Sequence, residues 1–217
     1  RRIALLAALL LVGWGSLSFT LGELSPRINL RPVGILLLLV ILMLELKAKL
    51  LARDEIEVAR QVQLALLPSF HPQPQGWSVW CHTRPANDVG GDLVDYMQRG
   101  DGRLGCALGD VSGKGLGAAL LSARLQATLH ALAPDAANLE DLGARLNAAL
   151  LRDELKNRFA TLFYLEMEPG TGRIRCLNAG HNPAYLRRAS GSLEEIAASG
   201  PPLGISGTAH YADRALD

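Results

Sequence analysis

The chain has 217 residues, room for one ordinary domain with additions. Its 22 Lys and Arg against 21 Asp and Glu leave a formal net charge of +1, close to neutral, so no polybasic surface is implied and no nucleic-acid partner is expected. Its 5 histidines do not cluster, and Cys81, Cys106 and Cys176 form no CxxC pair, which argues against a zinc site or a disulfide framework.

The chain opens on Arg1 rather than methionine, as a piece of a longer gene product or a processed one would. Ile3 to Leu21 has no charged side chain and, at ~20 residues per span, is long enough to cross a bilayer as a helix. A signal peptide is the alternative, but its apolar core would be shorter and no small-residue cleavage site stands out before Pro26. Val33 to Leu44 is a second apolar run, extended through Leu46 and Leu50 if Lys47 and Lys49 snorkel. Residues 1–44 therefore read as a membrane segment, two transmembrane helices joined by Gly22 to Pro32. Arg1 and Arg2 flank one side and Lys47, Lys49 and Arg53 the other, while the loop sets Arg27 and Arg31 against Glu23. That modest bias puts both ends in the cytoplasm, giving a multi-pass protein of the cell membrane with a cytoplasmic catalytic domain. A buried core hairpin is the alternative; little in the remaining chain could cover so much leucine.

Residues 45–67 read as a linker or signalling helix, free of Pro and Gly and rich in good helix formers. Leu51, Val58 and Ala65 recur at heptad spacing, flanked by Ala52, Ala59, Val62 and Leu66. The narrow stripe suits a second copy of the helix, hence a homodimer, or packing on its own domain. "PSFHPQPQG", Pro68 to Gly76, breaks the helix and marks a domain boundary.

From residue 77 the pattern changes. Trp77–Thr83, Leu93–Gln98 and Arg103–Val111 read as strands, the last two joined by "RGDG". Leu116–Leu132 and Leu139–Leu151 read as helices separated by Pro134. Phe159–Met167, Arg173–Asn178 and Ala184–Arg188 read as a meander of strands. Strands before and after a helical pair predict an α+β sandwich rather than alternating parallel units.

The hairpin around "RGDG" carries the candidate chemistry. A loop at Gly100 to Gly102 sets Gln98 opposite Leu104, Tyr96 opposite Cys106, Val94 opposite Leu108 and Asp92 opposite Asp110. Like charges directly opposite destabilise a sheet, and a divalent cation removes the conflict. Carboxylate and carbonyl oxygens suit Mg²⁺ or Mn²⁺, whereas zinc would want His or Cys. Gly90 and Gly91 permit close backbone approach; Gly113 and Gly115 permit a sharp turn that leaves the Val111 carbonyl free to point at a metal. The alternative is an ordinary hairpin with polar ends, and a slip of one residue would part the two acids. Asp88 and Asp95 are expected to be solvent-exposed or to support the site from behind. Lys114 between two glycines suggests a phosphate loop, but Leu108 stands where the first Walker glycine belongs and Gly115 replaces the hydroxyl residue. No Ser or Cys has the company of an activated nucleophile.

"DVGGDLVDY", "LGDVSGKGLGAALLSA", "RFATLFYLEME", "NAGHNPAYL" and "GPPLGI" resemble, in order and spacing, the stage II sporulation protein E-type phosphatases of the PPM (protein phosphatase 2C-like) superfamily. "EIEVARQVQLALLP" resembles the helix that enters such domains, so the likeness runs from about Glu55 to the end. It implies an α-β-β-α sandwich over residues 77–217 and a site for two Mn²⁺ or Mg²⁺ ions. It implies hydrolysis of phosphoserine or phosphothreonine on an anti-anti-sigma-type regulatory protein in bacterial signalling. Carried over by position, Asp92, Asp110 and the Val111 carbonyl are metal ligands, and the helix from Leu116 is the family's switch region. His181 and Asn182 in "NAGHNP" are assigned no catalytic role; His181 reads as a structural turn residue, a general acid being the alternative. The family's later "DG(V/I)TEA"-like motif and near-terminal Asp are not in this chain, and Asp213 and Asp217 lie in the wrong place to replace them. The domain is thus expected to be incomplete at its C-terminus. The alternative function is a degenerate, catalytically inactive phosphatase-like sensor that binds a partner.

Overall fold

A computed structural model of the chain describes residues 2–18, 27–68, 71–84, 88–152 and 158–216. The chain divides into two compact units, Arg1–Glu55 and Ile56–Asp217.

In the first unit α1 (Arg2–Trp14) leads to an antiparallel pair, β1 (Ser16–Ser18) and β2 (Arg27–Asn29), and then to the start of α2 (Arg31–Leu66). Gly34 lets α2 lie close to α1, since a Cβ there would sit 2.9 Å from the Val12 backbone nitrogen. The multi-pass membrane hairpin expected from sequence is corrected here: among the described residues no helix is long and apolar enough to cross a membrane. α1 has 13 residues. At ~1.5 Å each they reach about 20 Å, short of a ~30 Å hydrocarbon core. The charge-free run to Leu21 is not one helix, because α1 ends at Trp14 and the chain turns into β1. α2 is long, at 36 residues, but Arg31 and then Glu45, Lys47 and Lys49 bound its apolar stretch. Much of the expected loop, residues 19–26, lies outside the described residues.

The second unit is built on a five-stranded antiparallel sheet in the order β3-β4-β5-β6-β9. Its strands are β3 (Asp92–Gln98), β4 (Leu104–Val111), β5 (Ala160–Met167), β6 (Ile174–Ala179) and β9 (Arg214–Leu216). Helices α3 (Leu116–Leu132) and α4 (Leu139–Leu151) lie between β4 and β5 in sequence and pack on one face of the sheet. α4 presents Leu139, Leu142, Leu146 and Leu150 at helical spacing, all buried. Its start is fixed by Asn138, whose side chain accepts the Asp141 N–H at 2.8 Å. These leucines meet Leu121, Leu125 and Leu129 of α3 and the inward residues Leu93, Leu162, Tyr164 and Leu177 of the sheet.

The alternate residues of the same strands face the other way. Phe163, Cys176 and Leu216 gather with Ile196, Ala184 and Leu186 from a two-stranded sheet, β7 (Ala184–Arg187) and β8 (Leu193–Ile196). The described layering is therefore helix pair, large sheet, small sheet, a mixed α+β fold. The expected meander through 188 is corrected in its last step: β7 leaves the large sheet to pair with β8, and β9 takes the place beside β6.

Trp77–Thr83 is also corrected, for it joins no ladder. Its alternation is real, because Trp77, Val79 and Cys81 pack against Tyr96, Leu104 and Met167 while Ser78, Trp80 and His82 face out. Period two here reports an extended chain lying on a sheet, not a strand within one.

Candidate metal site

The β3–β4 register is the expected one: Gln98 opposite Leu104, Tyr96 opposite Cys106, Val94 opposite Leu108 and Asp92 opposite Asp110. The loop closes through Arg99 N–H to the Arg103 carbonyl at 2.8 Å, with Gly102 at φ 85°. Both acids are exposed at the end of the pair, on the sheet face opposite the helices. Asp110 in turn sits opposite Thr161 of β5, so Asp92, Asp110 and Thr161 form one cross-strand row.

Gly91 shapes the space beside that row. A Cβ on Gly91 would lie 2.6 Å from the Val111 carbonyl oxygen and 3.3 Å from Asp110 Oδ1. Two oxygens thus converge on a point that only a missing side chain keeps open. The Val111 N–H donates to the Gly91 carbonyl at 3.2 Å, which fixes the closing turn of the ladder. Asp92 is braced by Ser122 of α3, whose hydroxyl donates to its backbone carbonyl at 3.1 Å, and by Thr83, whose hydroxyl donates to Oδ2 at 3.3 Å. An all-oxygen donor set of two carboxylates and a carbonyl fits Mg²⁺ or Mn²⁺. Among the described residues no three His, Cys, Asp or Glu side chains converge.

The surrounding groups are tied down. The Thr161 hydroxyl lies 3.3 Å from the Asp110 carbonyl and pairs with His181 Nδ1 at 2.8 Å. Burial lowers the His181 pKa from its ordinary value, against the weaker opposing pull of Asp110 and then Asp92. The His181 backbone N–H donates to Asn178 Oδ1 at 2.8 Å, so the residue also holds the turn after β6. Burial pushes the Cys106 thiol up to about 12, and raises Cys176 too, which leaves neither as a thiolate at neutral pH.

Three further sequence expectations take their places. Asp88 is exposed as expected, whereas Asp95 is buried rather than exposed. It faces the helices, meets His130 Nε2 at 2.5 Å and accepts the Tyr96 N–H at 2.8 Å. Asp213 is engaged by the Arg175 guanidinium and by the Leu139 N–H, away from the row; Asp217 lies outside the described residues. Lys114 is exposed between Gly113 and Gly115, at φ 107° and 68°. Sequence reasoning missed Arg158, which donates to the Ser112 carbonyl at 2.8 Å and lies where a Gly113 Cβ would need to be. It also missed Thr161 and Gln63. Their motifs, "RFAT" and "ARQVQ", were visible; their contacts, made across the fold, were not.

A profile of the family described as Stage II sporulation protein E (SpoIIE) matches residues 100–217. The chain belongs to the SpoIIE family. The matched stretch includes Asp110, Val111 and Thr161, and Asp92 precedes it by a few residues. Among curated relatives, phosphoserine phosphatase RsbP of Bacillus subtilis (strain 168) is 30% identical over 164 residues, covering 72% of this chain and 40% of RsbP. Phosphoserine phosphatase RsbU of the same organism is 26% identical over 155 residues, covering 71% of this chain and 46% of RsbU. The chain spans less than half the length of the curated relatives it matches. The SiaA-PP2C domain of Pseudomonas aeruginosa shares the fold at TM-score 0.59 and 16% identity, over 78% of this chain and 68% of that one. SpoIIE membership and this likeness together establish a PP2C-type fold for the second unit.

Proposed function

We propose that the protein is a PPM-type, metal-dependent serine/threonine phosphatase, and that Asp92, Asp110 and the Val111 carbonyl hold its Mn²⁺ or Mg²⁺. The observation that carries this reading is the cross-strand pairing of Asp92 with Asp110, with Asp110 Oδ1 and the Val111 carbonyl oxygen bordering the space Gly91 leaves open, in a SpoIIE-family chain. Two ions bound there would supply an activated water and neutralise phosphoryl charge. The chain's own part is to present oxygens on two strands held in fixed register and braced by Ser122, Thr83 and Thr161. Burial keeps the Cys106 and Cys176 thiols protonated, in keeping with direct attack by water.

The substrate class we propose is the phosphoserine or phosphothreonine of a regulatory protein of anti-anti-sigma type, in line with relatives named phosphoserine phosphatases. We further propose self-association through α2, where Leu51, Val58 and Val62 recur along the helix and are 55%, 61% and 57% exposed. Residues 45–67 then act as the linker and 77–217 as the catalytic domain. Release of inorganic phosphate from a phosphoserine protein tests the reading. Release should require Mn²⁺ or Mg²⁺ and be lost in Asp110→Asn with the fold retained. Binding of the phosphoprotein without release would favour the inactive sensor.

A further inference from the structure

Among the described residues β3 is an edge strand, and the backbone leading into Asp92 has no neighbouring strand on its outer side. Its place is taken by one side chain. Gln63, in the last turn of α2, donates its Nε2–H to the Gly90 carbonyl at 2.7 Å and accepts the Gly90 N–H on Oε1 at 3.0 Å. A single amide thus makes both bonds that a hydrogen-bonded partner residue in an antiparallel ladder would make. On the inner side the next residue, Gly91, accepts the Val111 N–H. The glycine pair before Asp92 is therefore gripped alternately from the helix and from β4.

The grip matters because glycines are the least restrained of residues, and these two adjoin the oxygens of the site. α2 is itself anchored where it makes the contact. Gln126 of α3 donates to the Leu66 carbonyl at 2.9 Å, and α3 also holds the Asp92 carbonyl through Ser122. Gln63 and Gly90 line a cleft of about 190 Å³ that reaches Asp92 and Thr83. Gln63 bonds neither carboxylate, so any effect on them runs through the backbone.

We infer that Gln63 is a positioning residue: by clamping Gly90 it holds Asp92 and the Gly91–Val111 bond in the geometry that binds the cation. This rests on the proposed metal site, and the test separates the two. Mn²⁺ is titrated calorimetrically into the full chain, into Gln63→Leu, into Gln63→Glu and into Asp92→Asn, and backbone amide exchange is followed in each. Gln63→Leu should bind Mn²⁺ at least tenfold more weakly. The Gly90 and Val111 amides should exchange faster, while those of Tyr164 and Leu177 in the core stay protected. Gln63→Glu keeps the acceptor for the Gly90 N–H but replaces the donor to its carbonyl with a carboxylate oxygen that repels it, so Mn²⁺ binding should weaken and the Val111 amide exchange faster here too. If Gln63→Leu unfolds the domain, Gln63→Glu decides by the same two readings. Parent-like Mn²⁺ affinity in the folded Gln63 variants, with Asp92→Asn impaired, overturns the clamp and leaves the metal site standing. Failure of the parent to bind Mn²⁺, or equal binding by Asp92→Asn, removes the metal site and the positioning role with it.

Discussion

Gly91→Ala puts the geometry of the site to a stringent trial. The added Cβ would stand 2.6 Å from the Val111 carbonyl oxygen and 3.3 Å from Asp110 Oδ1. The first contact is with backbone, held in turn by the Val111 N–H bond to the Gly91 carbonyl at 3.2 Å, so it has no flexible side chain to push aside. Gly91 has no positive φ, and the cost is therefore one of space rather than of backbone conformation. Overpacking of this kind costs about 1–3 kcal/mol, which for a chain of this size lowers Tm by roughly 2–12 °C. The methyl also fills the point on which the oxygens converge. Thermal unfolding with and without Mn²⁺ reads both effects, because a ligand bound only by the native state raises Tm. The parent should gain stability with Mn²⁺, and Gly91→Ala should start lower and gain little. Gly100→Ala is the control: nothing lies within 4 Å of its Cβ, so it should change stability by less than ~0.5 kcal/mol. Parent-like Tm and a parent-like Mn²⁺ response in Gly91→Ala would refute the reasoning.

Val58→Glu should weaken self-association, since it puts a charge into the exposed apolar stripe of α2; unchanged mass by sedimentation, at concentrations where the parent dimerises, would count against the interface. His181 should titrate below its ordinary 6.5, because burial outweighs the pull of Asp110 and Asp92. With its folded pKa depressed, its stabilising contribution is complete above the unfolded value and is lost as pH falls through the folded one. Asp110→Asn should move the midpoint lower still, and an NMR midpoint at or above 6.5 in the parent would contradict the assignment of causes.

Much of the domain was legible where local rules and tertiary demands agree. Gly102 at the turn and the alternation from Asp92 to Gln98 determine the hairpin register, because a slip of one residue would turn Leu93 and Met97 out of the core. The two helices begin and end where expected, bounded by Gly115, Pro134 and Asn138. Trp77–Thr83 was misread because alternation records which residues are covered, not which backbone groups are paired. β8 and β9 are short and carry charge, Glu194 and Glu195 in one and Arg214 in the other, so they give no apolar run to find. The membrane expectation failed because absence of charge from Ile3 to Leu21 says nothing of where a helix stops, and α1 stops at Trp14. In the site, the acids were legible from their pairing. Gln63 and Arg158 were not, for they act 27 and 46 residues away in sequence, through hydrogen bonds to carbonyls and an N–H that every residue but proline has.

Paramagnetic broadening by Mn²⁺ tests the central claim most directly, because it maps where the ion sits without requiring turnover. The far end of the β3–β4 hairpin, at Gln98 and Leu104, is six residues along the strand from Asp92 and Asp110, or about 20 Å. Substoichiometric Mn²⁺ should erase the amide signals of Gly91, Asp92, Asp110 and Val111 first and leave those of Gln98 and Leu104 sharp, and Asp110→Asn should abolish the pattern. Broadening that is uniform, centred elsewhere, or unchanged in Asp110→Asn would contradict the account.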